Sequence, residues 1–415
     1  MQTTAAKEIV IFMIGGTIAM KSSPLGAVPS DDLEESLRGA LKATPQGAVS
    51  IRLVPWSSKP SPHVTADDMF ALAQDMEKEL AKKTVHGAIV LHGTDLLAET
   101  AFVLDRALVS PKPVVCSGSM RHMEENGYDG IRNVVNSVVA CLAMPAFSEV
   151  LVQMADCLYI ASDTLKFDSL SVASMRGMAR GVVGRVVDNK AFFTQEISVK
   201  RPRLPFPVTG IKSRVPLISC YPGMTTEDIV WPCLPFISFG DARDDSRTDG
   251  IEVTGRTGGT GGTGPKLASC SEKKRAKENL TKNFKDTDTQ PKDVKVKDAY
   301  APSPLLEALR NSVSPADFLP DGVVLEGFGA GNVPPGILDF VGFLLSEDVP
   351  VVLASRSPLG GVMPLYGYTG GGGELLHKGV LSAKTLSAIK AQLLLKMALA
   401  SGCSKSILKN IFNEL

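Results

Sequence analysis

The sequence predicts an α/β fold, with a larger N-terminal domain built on a mostly parallel sheet covered by helices and a smaller C-terminal α/β domain. Three observations predict it. Short apolar runs without polar alternation, at Ile9 to Ile14 (IVIFMI), Gly87 to Leu91 (GAIVL) and Pro113 to Cys116, read as strands buried on both faces. Amphipathic stretches at Asp67 to Lys82, Leu96 to Val109 and Gly130 to Met144 separate them as helices. Finally, 415 residues exceed one ordinary core, so two domains are expected.

Further along, Val150 to Met154 and Val215 to Ser219 continue the first series of strands, which closes an N-terminal domain at 1–222. Composition then shifts. From about Gly240 to Ala301 large aliphatic residues nearly vanish, and TGRTGGTGGTG is followed by a run rich in Lys and Asp. Such a stretch buries too little surface to offset its ordering entropy, so 223–301 reads as a disordered insertion. Its acidic residues largely offset its basic ones, which favours a solvated linker over a nucleic-acid tether. Order resumes in a C-terminal domain at 302–415. Ser303 to Ser312 reads as a helix, Gly322 to Leu325 and Val349 to Ala354 as strands, and Leu386 to Ala400 as the closing helix.

Charge and cysteine usage exclude several function classes. Lys+Arg 44 and Asp+Glu 44 cancel, leaving no overall footprint for nucleic acid or an anionic membrane. The seven cysteines contain no Cys-x-x-Cys pair, and Cys116 and Cys141 sit in apolar runs, so buried reduced thiols are expected rather than a disulfide framework or a zinc site. The apolar run near the N-terminus is only a strand long, too short for a signal segment, and no stretch is long enough to span a bilayer. A cytoplasmic location is the expectation.

Parallel sheets bind ligands at the carboxyl ends of their strands, and four such ends carry unusual residues. Gly15-Gly16-Thr17 leaves a small hydroxyl after the first strand, although a Gly turn of this kind also serves structure alone. His92-Gly93-Thr94-Asp95 follows GAIVL, where Thr or Asp is in the first place a helix N-cap. Yet this pair repeats the placement of Thr17. Cys116-Ser117-Gly118-Ser119 offers small residues that let a ligand approach the backbone, or a plain strand-to-loop transition. Lys166, in the polar stretch SDTLKFDS, reads by itself as a solvated loop charge.

Together these segments resemble the bacterial-type L-asparaginase/glutaminase family. GGTIAM and HGTDLLAETAF are similar to its two signatures, and PVVCSGSMR…DGIRNVVNSV to its third segment. GFGAGNVP, PVVLASRSPLGG and YGYTGGGGELLHKGVLSAKTLSAIKAQLLL resemble its C-terminal blocks, so the likeness spans nearly the whole chain outside the insertion. The resemblance implies hydrolysis of L-asparagine to L-aspartate and ammonia, with no metal or organic cofactor. It assigns Thr17 as the nucleophile, Thr94 as the second catalytic threonine, Asp95 as its neighbouring carboxylate and Lys166 as the activating lysine. It places Ser61 against the substrate α-carboxylate, with Gly16, Gly93 and Ser119 also lining the substrate. Family active sites form between subunits, which implies a homodimer or homotetramer and makes Tyr366, Tyr368 and Glu374 candidates for contributions across that interface. One departure stands out. The loop KSSPLGAVPS has no tyrosine where many members carry one against the nucleophile. Either another hydroxyl replaces it (Ser22, Ser23, or Tyr366 or Tyr368 from elsewhere), or the reaction is slow. Glutamine or another amidated metabolite as substrate, and a weakly catalytic binding protein on the same scaffold, are the alternatives.

Overall fold

A computed structural model describes residues 7–21, 28–29, 37, 49–199, 204–230, 306 and 319–415. The insertion expected at 223–301 lies almost wholly outside the described residues, as do most of the helix expected at Ser303 to Ser312 and the positions Ser22 and Ser23.

The large sheet begins with β1 (Lys7–Met13), β2 (Val49–Pro55), β3 (Val85–Leu91), β4 (Val114–Ser117) and β5 (Leu151–Met154). These five are parallel neighbours in the order β2-β1-β3-β4-β5. Antiparallel strands β6 (Cys157–Ile160), β9 (Gly184–Val187) and β10 (Lys190–Phe193) extend the far edge. Between them, β7 (Thr164–Lys166) and β8 (Met175–Gly177) form a separate antiparallel pair. The sequence reading missed β2, whose partly buried edge position leaves no continuous apolar run.

The strands read as doubly buried are so for a visible reason. Val10, Phe12, Ala88, Val90 and Val114 face a core shared with α1 (Ala66–Leu80) and α2 (Leu97–Ala107). Their neighbours Ile9, Ile11, Ile89, Leu91 and Val115 point the other way, against α3 (Gly130–Ala143). Successive side chains in a strand alternate faces, and both faces here are roofed by helices, so no position is left for a polar residue. Helix α1 starts where its sequence dictates, at a capping box between Thr65 and Asp68.

The second sheet is parallel throughout, in the order β11 (Leu217–Ser219), β12 (Val323–Gly327), β13 (Val351–Ser355), β14 (Leu381–Ser382). This corrects one expectation. The Val215 to Ser219 run does not extend the first sheet but pairs with β12, more than a hundred residues later. A short apolar run specifies a strand, whereas its partner is fixed by tertiary packing alone.

The remaining α-helices are α4 (Thr226–Val230), α5 (Leu338–Ser346), α6 (Gly372–His377), α7 (Ala388–Ala400) and α8 (Lys405–Asn413), and Met20–Lys21 pairs antiparallel with Val28–Pro29 beside the Thr17 turn. Helix α7 joins the two sheets, since Leu394, Leu395 and Ala391 share one core with Val324 and Val352 of the second sheet and Phe102 of α2. From its buried face Lys390 reaches across, donating to the carbonyls of Ala161 at 2.8 Å and Ser162 at 3.3 Å and also to that of Thr164. Its pKa is pushed down to about 8, because burial penalises the ammonium more than Glu99 and Asp163 restore it.

The folded chain thus releases this proton near pH 8 and the unfolded chain near 10.5. Unfolding takes up a proton inside that window, so this lysine raises stability as pH climbs through it. Lys390→Met, with nothing to titrate, should lack a rise on the order of 3 kcal/mol that the wild type shows between those limits. Urea unfolding of both proteins at several pH values between 8 and 10.5 checks this; a constant difference between them would refute it.

Candidate active site

The strand order puts a split at β1 and β3. The chain leaves β1 for β2 on one side, then returns to β3 on the other, so the connections after β1 and β3 diverge and leave a crevice above their carboxyl ends. Both expected threonine segments stand there. Thr17 opens a short turn of 3₁₀ helix (Thr17–Ala19) just past β1, and Thr94-Asp95 follow β3.

The two turns touch backbone to backbone. Gly16 has φ +90°, and a Cβ on it would lie 2.2 Å from the Gly93 Cα and 2.3 Å from the Gly93 nitrogen. A Cβ on Gly93 would in turn meet the Ser61 Cβ at 2.6 Å. Glycine is therefore required at both positions, by conformation at the first and by crowding at both. On the far side, Gly118 at the end of β4 abuts the His92 carbonyl, where a Cβ would fall 2.3 Å from the oxygen and 3.5 Å from the Thr94 methyl group.

Lys166 meets this crevice from β7. Its Nζ donates to Thr94 Oγ1 at 2.9 Å and to Asp95 Oδ1 at 2.6 Å. Thr94 is buried, while Asp95 is more than half exposed at 58% of its side chain, so the pair opens toward solvent on the carboxylate side. The expectation that Lys166 lies in a loop as a free surface charge is corrected, because the residue ends a strand registered against Met175. Lys390 holds the carbonyls of the preceding turn, and Thr164 Oγ1 adds a bond to the Ile160 carbonyl at 2.6 Å. Helix capping by Thr94 or Asp95 is also corrected. The N-cap of α2 is Leu96, without a side-chain bond, which leaves both polar groups to Lys166.

His92 and Ser61 fix the Gly93 peptide. Burial pushes the His92 pKa down, so the ring is neutral. Its Nδ1 lies 2.8 Å from the Gly93 carbonyl and must carry the proton, which leaves Nε2 to accept from the Thr100 hydroxyl at 3.0 Å. Ser61 Oγ donates to the same carbonyl at 2.8 Å and accepts from the Leu96 amide at 2.8 Å. Its hydroxyl is thus buried and engaged within the protein, where it pins the turn. Ser119 is likewise buried, its hydroxyl donating to the Arg121 carbonyl at 2.8 Å.

Tyr366 and Tyr368 sit elsewhere, exposed on the loop before α6 with ring centroids 5.5 Å apart. Among the described residues no hydrogen bond joins them to Thr17, Thr94, Asp95 or Lys166. Glu374 accepts from the Gly370 amide at 2.7 Å and pairs with Lys378 at 2.7 Å. Sequence reasoning placed His92 and Gly118 at strand ends without giving either a role, and it missed Lys390 and Tyr128, the last of which donates to the Ile18 carbonyl at 3.0 Å. His92 was legible as the residue before the Gly93 turn. Lys390 and Tyr128 become visible only through contacts distant in sequence.

The arrangement is a hydroxyl, a carboxylate and an ammonium converging on a crevice beside a second hydroxyl, the equipment of an acyl-transferring hydrolase. Comparison with known proteins agrees. Residues 8–199 match the model of the N-terminal asparaginase domain, and residues 307–412 that of the glutaminase/asparaginase C-terminal domain. The chain belongs to the asparaginase/glutaminase family and is an amidohydrolase. It is 29% identical to a protein described as a probable L-asparaginase from Deinococcus radiodurans, over 98% of this chain and 97% of that one. It is 23% identical to an L-asparaginase of Bacillus licheniformis, over 95% and 96% of the two chains. The crystal structure of a probable cytoplasmic L-asparaginase from Campylobacter jejuni shares the fold with a TM-score of 0.64 at 21% identity, covering 98% of this chain and 99% of that one. Among the described residues no helix is long and apolar enough to cross a membrane.

The glycine contact gives a direct test. Gly16→Ala forces a side chain into the Gly93 backbone and should lower amide hydrolysis by roughly a hundredfold, the effect of a misplacement near 1 Å. Strain at this φ should cost stability on the order of 1–3 kcal/mol. Steady-state ammonia release and thermal unfolding check both; wild-type activity in this variant would contradict the contact.

Proposed function

We propose that the protein is an L-asparaginase that hydrolyses L-asparagine to L-aspartate and ammonia through an acyl-enzyme on Thr17. The observation that carries this reading is the Lys166 ammonium bonded to both Thr94 Oγ1 and Asp95 Oδ1, at the strand end that touches the Gly16-Thr17 turn.

The Thr17 hydroxyl adds to the side-chain amide carbon of asparagine, its proton passes to the departing nitrogen, and ammonia leaves an ester on Thr17. Water then adds to that ester, and collapse returns the Thr17 hydroxyl and releases aspartate. A threonine hydroxyl is a weak nucleophile at neutral pH and needs a proton acceptor close by. Thr94 and Lys166 form the short relay available for that proton, with Lys166 entering the step as the neutral amine after releasing a proton to solvent, and Asp95 holds Lys166 and faces the substrate amine. Amide N–H groups around Gly93 and Thr94, whose peptide is clamped by His92 and Ser61, face the developing oxyanion, at about 3–4 kcal/mol per donor in other hydrolases. Ser61, Gly16, Gly93 and Ser119 shape the floor on which the amino acid rests. A homo-oligomer in the cytoplasm, with Tyr366, Tyr368 and Glu374 presented to a neighbouring copy, completes the reading; their exposure on the smaller domain supports the two tyrosines.

Ammonia release is to be measured with L-asparagine, D-asparagine and L-glutamine for the wild type beside Thr17→Ala, Thr94→Val and Lys166→Met. L-Asparagine should be turned over best, and each substitution should lower kcat by at least about a thousandfold, as loss of a member of a catalytic set does. Faster turnover of L-glutamine would overturn the substrate assignment. Full activity in Lys166→Met would overturn the relay, and aspartate binding without any turnover would point to a binding protein on this scaffold.

A further inference from the structure

The turn that carries Thr17 is held from a second element. Upstream it leaves β1 through Gly15 and Gly16, whose φ values of +115° and +90° suit glycine and which pack on the Lys59 and Gly93 backbones without a side chain to fix the direction of the turn. Its own bond runs from the Met20 amide to the Thr17 carbonyl. Downstream, the loop between β4 and α3 grips it twice. The Tyr128 phenol donates to the Ile18 carbonyl at 3.0 Å, and the Met123 amide donates to the Met20 carbonyl at 3.3 Å.

That loop is rigid enough to serve as an anchor. Asp129 accepts the amides of Met120 and Arg121 at 3.2 and 3.1 Å and the Asn133 side chain at 3.0 Å. The Arg121 guanidinium bonds the carbonyls of Asn126 and Gly127 at 3.1 and 3.2 Å. The Tyr128 ring itself lies flush on Gly130, the first residue of α3, where a Cβ would fall 2.2 Å from the phenol oxygen. Burial pushes the phenol pKa upward, so the group stays a hydrogen-bond donor throughout the neutral range.

We propose that Tyr128 is a positioning residue for the nucleophile, fixing through the Ile18 carbonyl the direction from which the Thr17 hydroxyl meets the amide carbon. The proposal rests on the reading of Thr17 as nucleophile. The Ile18 carbonyl belongs to the second peptide unit after the Thr17 side chain, and a hinge of two glycines precedes that side chain. Rotation of the turn about this hinge would swing the hydroxyl away from Thr94 unless the far side is tied. The phenol supplies the tie from a loop that belongs to neither threonine segment. Small displacements of an attacking group carry large rate penalties while leaving substrate affinity nearly intact.

Tyr128→Phe deletes the tie and keeps the ring on Gly130. With L-asparagine, kcat should fall by roughly ten- to a hundredfold, as expected for a displaced attacking group. KM should stay within about twofold, as for an interaction that does not contribute to ground-state binding. Rapid-quench measurement should place the loss in acylation, and the melting temperature should stay close to that of the wild type. Gly130→Ala, which pushes the ring away from Ile18, should lower kcat in the same way. An unchanged kcat in Tyr128→Phe, or a loss matched by a comparable fall in melting temperature, overturns the proposal. Thr17→Ala in the same assay separates the two levels. If it is inactive while Tyr128→Phe is fully active, only the positioning role fails; if it retains activity, the nucleophile reading fails and the proposal with it.

Discussion

Gly16 and Gly93 lie against each other where β1 and β3 part, and the spacing of the two threonines depends on that backbone contact. Neither glycine tolerates a Cβ, since the space is filled by the other and by Ser61. Thr17 follows the first glycine directly and Thr94 the second, so closing the contact brings the two hydroxyl-bearing residues to one crevice. The sheet order supplies the crevice, because among the described residues the crossover connections run in opposite directions between β1 and β3. Topology chooses the place, and glycine permits the approach.

Around that contact the structure invests in backbone carbonyls rather than in the threonine side chains. His92 and Ser61 hold the Gly93 carbonyl, Tyr128 holds that of Ile18, and Lys390 holds three in the turn that leads to Lys166. Each of these carbonyls has its side-chain donor, as burial asks of a polar group. Lys166 keeps its hydrogen bonds for Thr94 and Asp95. Lys390 also ties the domains, because its helix packs on the second sheet while its ammonium serves a turn of the first domain. Helix α7 is thereby part of the support for a lysine more than two hundred residues upstream.

Much of this was legible in the sequence where one signal suffices. Doubly apolar runs gave β1, β3, β4, β5, β12 and β13, and amphipathic periodicity gave α1, α2, α3 and α7, because each pattern follows from a repeat within the element itself. Thr17, Thr94 and Asp95 were legible as small polar residues after strands. Other features needed partners that no local pattern names. The edge strand β2 lacks an apolar run, the Val215 to Ser219 strand joined the other sheet, and Lys166 looked like an ordinary loop charge. Tyr128 drew no comment, since a tyrosine before Asp129-Gly130 has no periodicity to mark it.

The sequence by itself determined the class of fold, the existence and type of most elements, and the residue types available for amide hydrolysis, since these depend on local pattern and side-chain chemistry. Only the tertiary structure decided which strand end meets which, that Lys166 reaches Thr94 and Asp95 across 72 and 71 residues, and that Ser61 turns inward to pin the Gly93 turn. The physical reason is that such contacts are set by the packing of whole elements and by the exclusion of a Cβ at two glycines. Neither is encoded within the reach of any single segment.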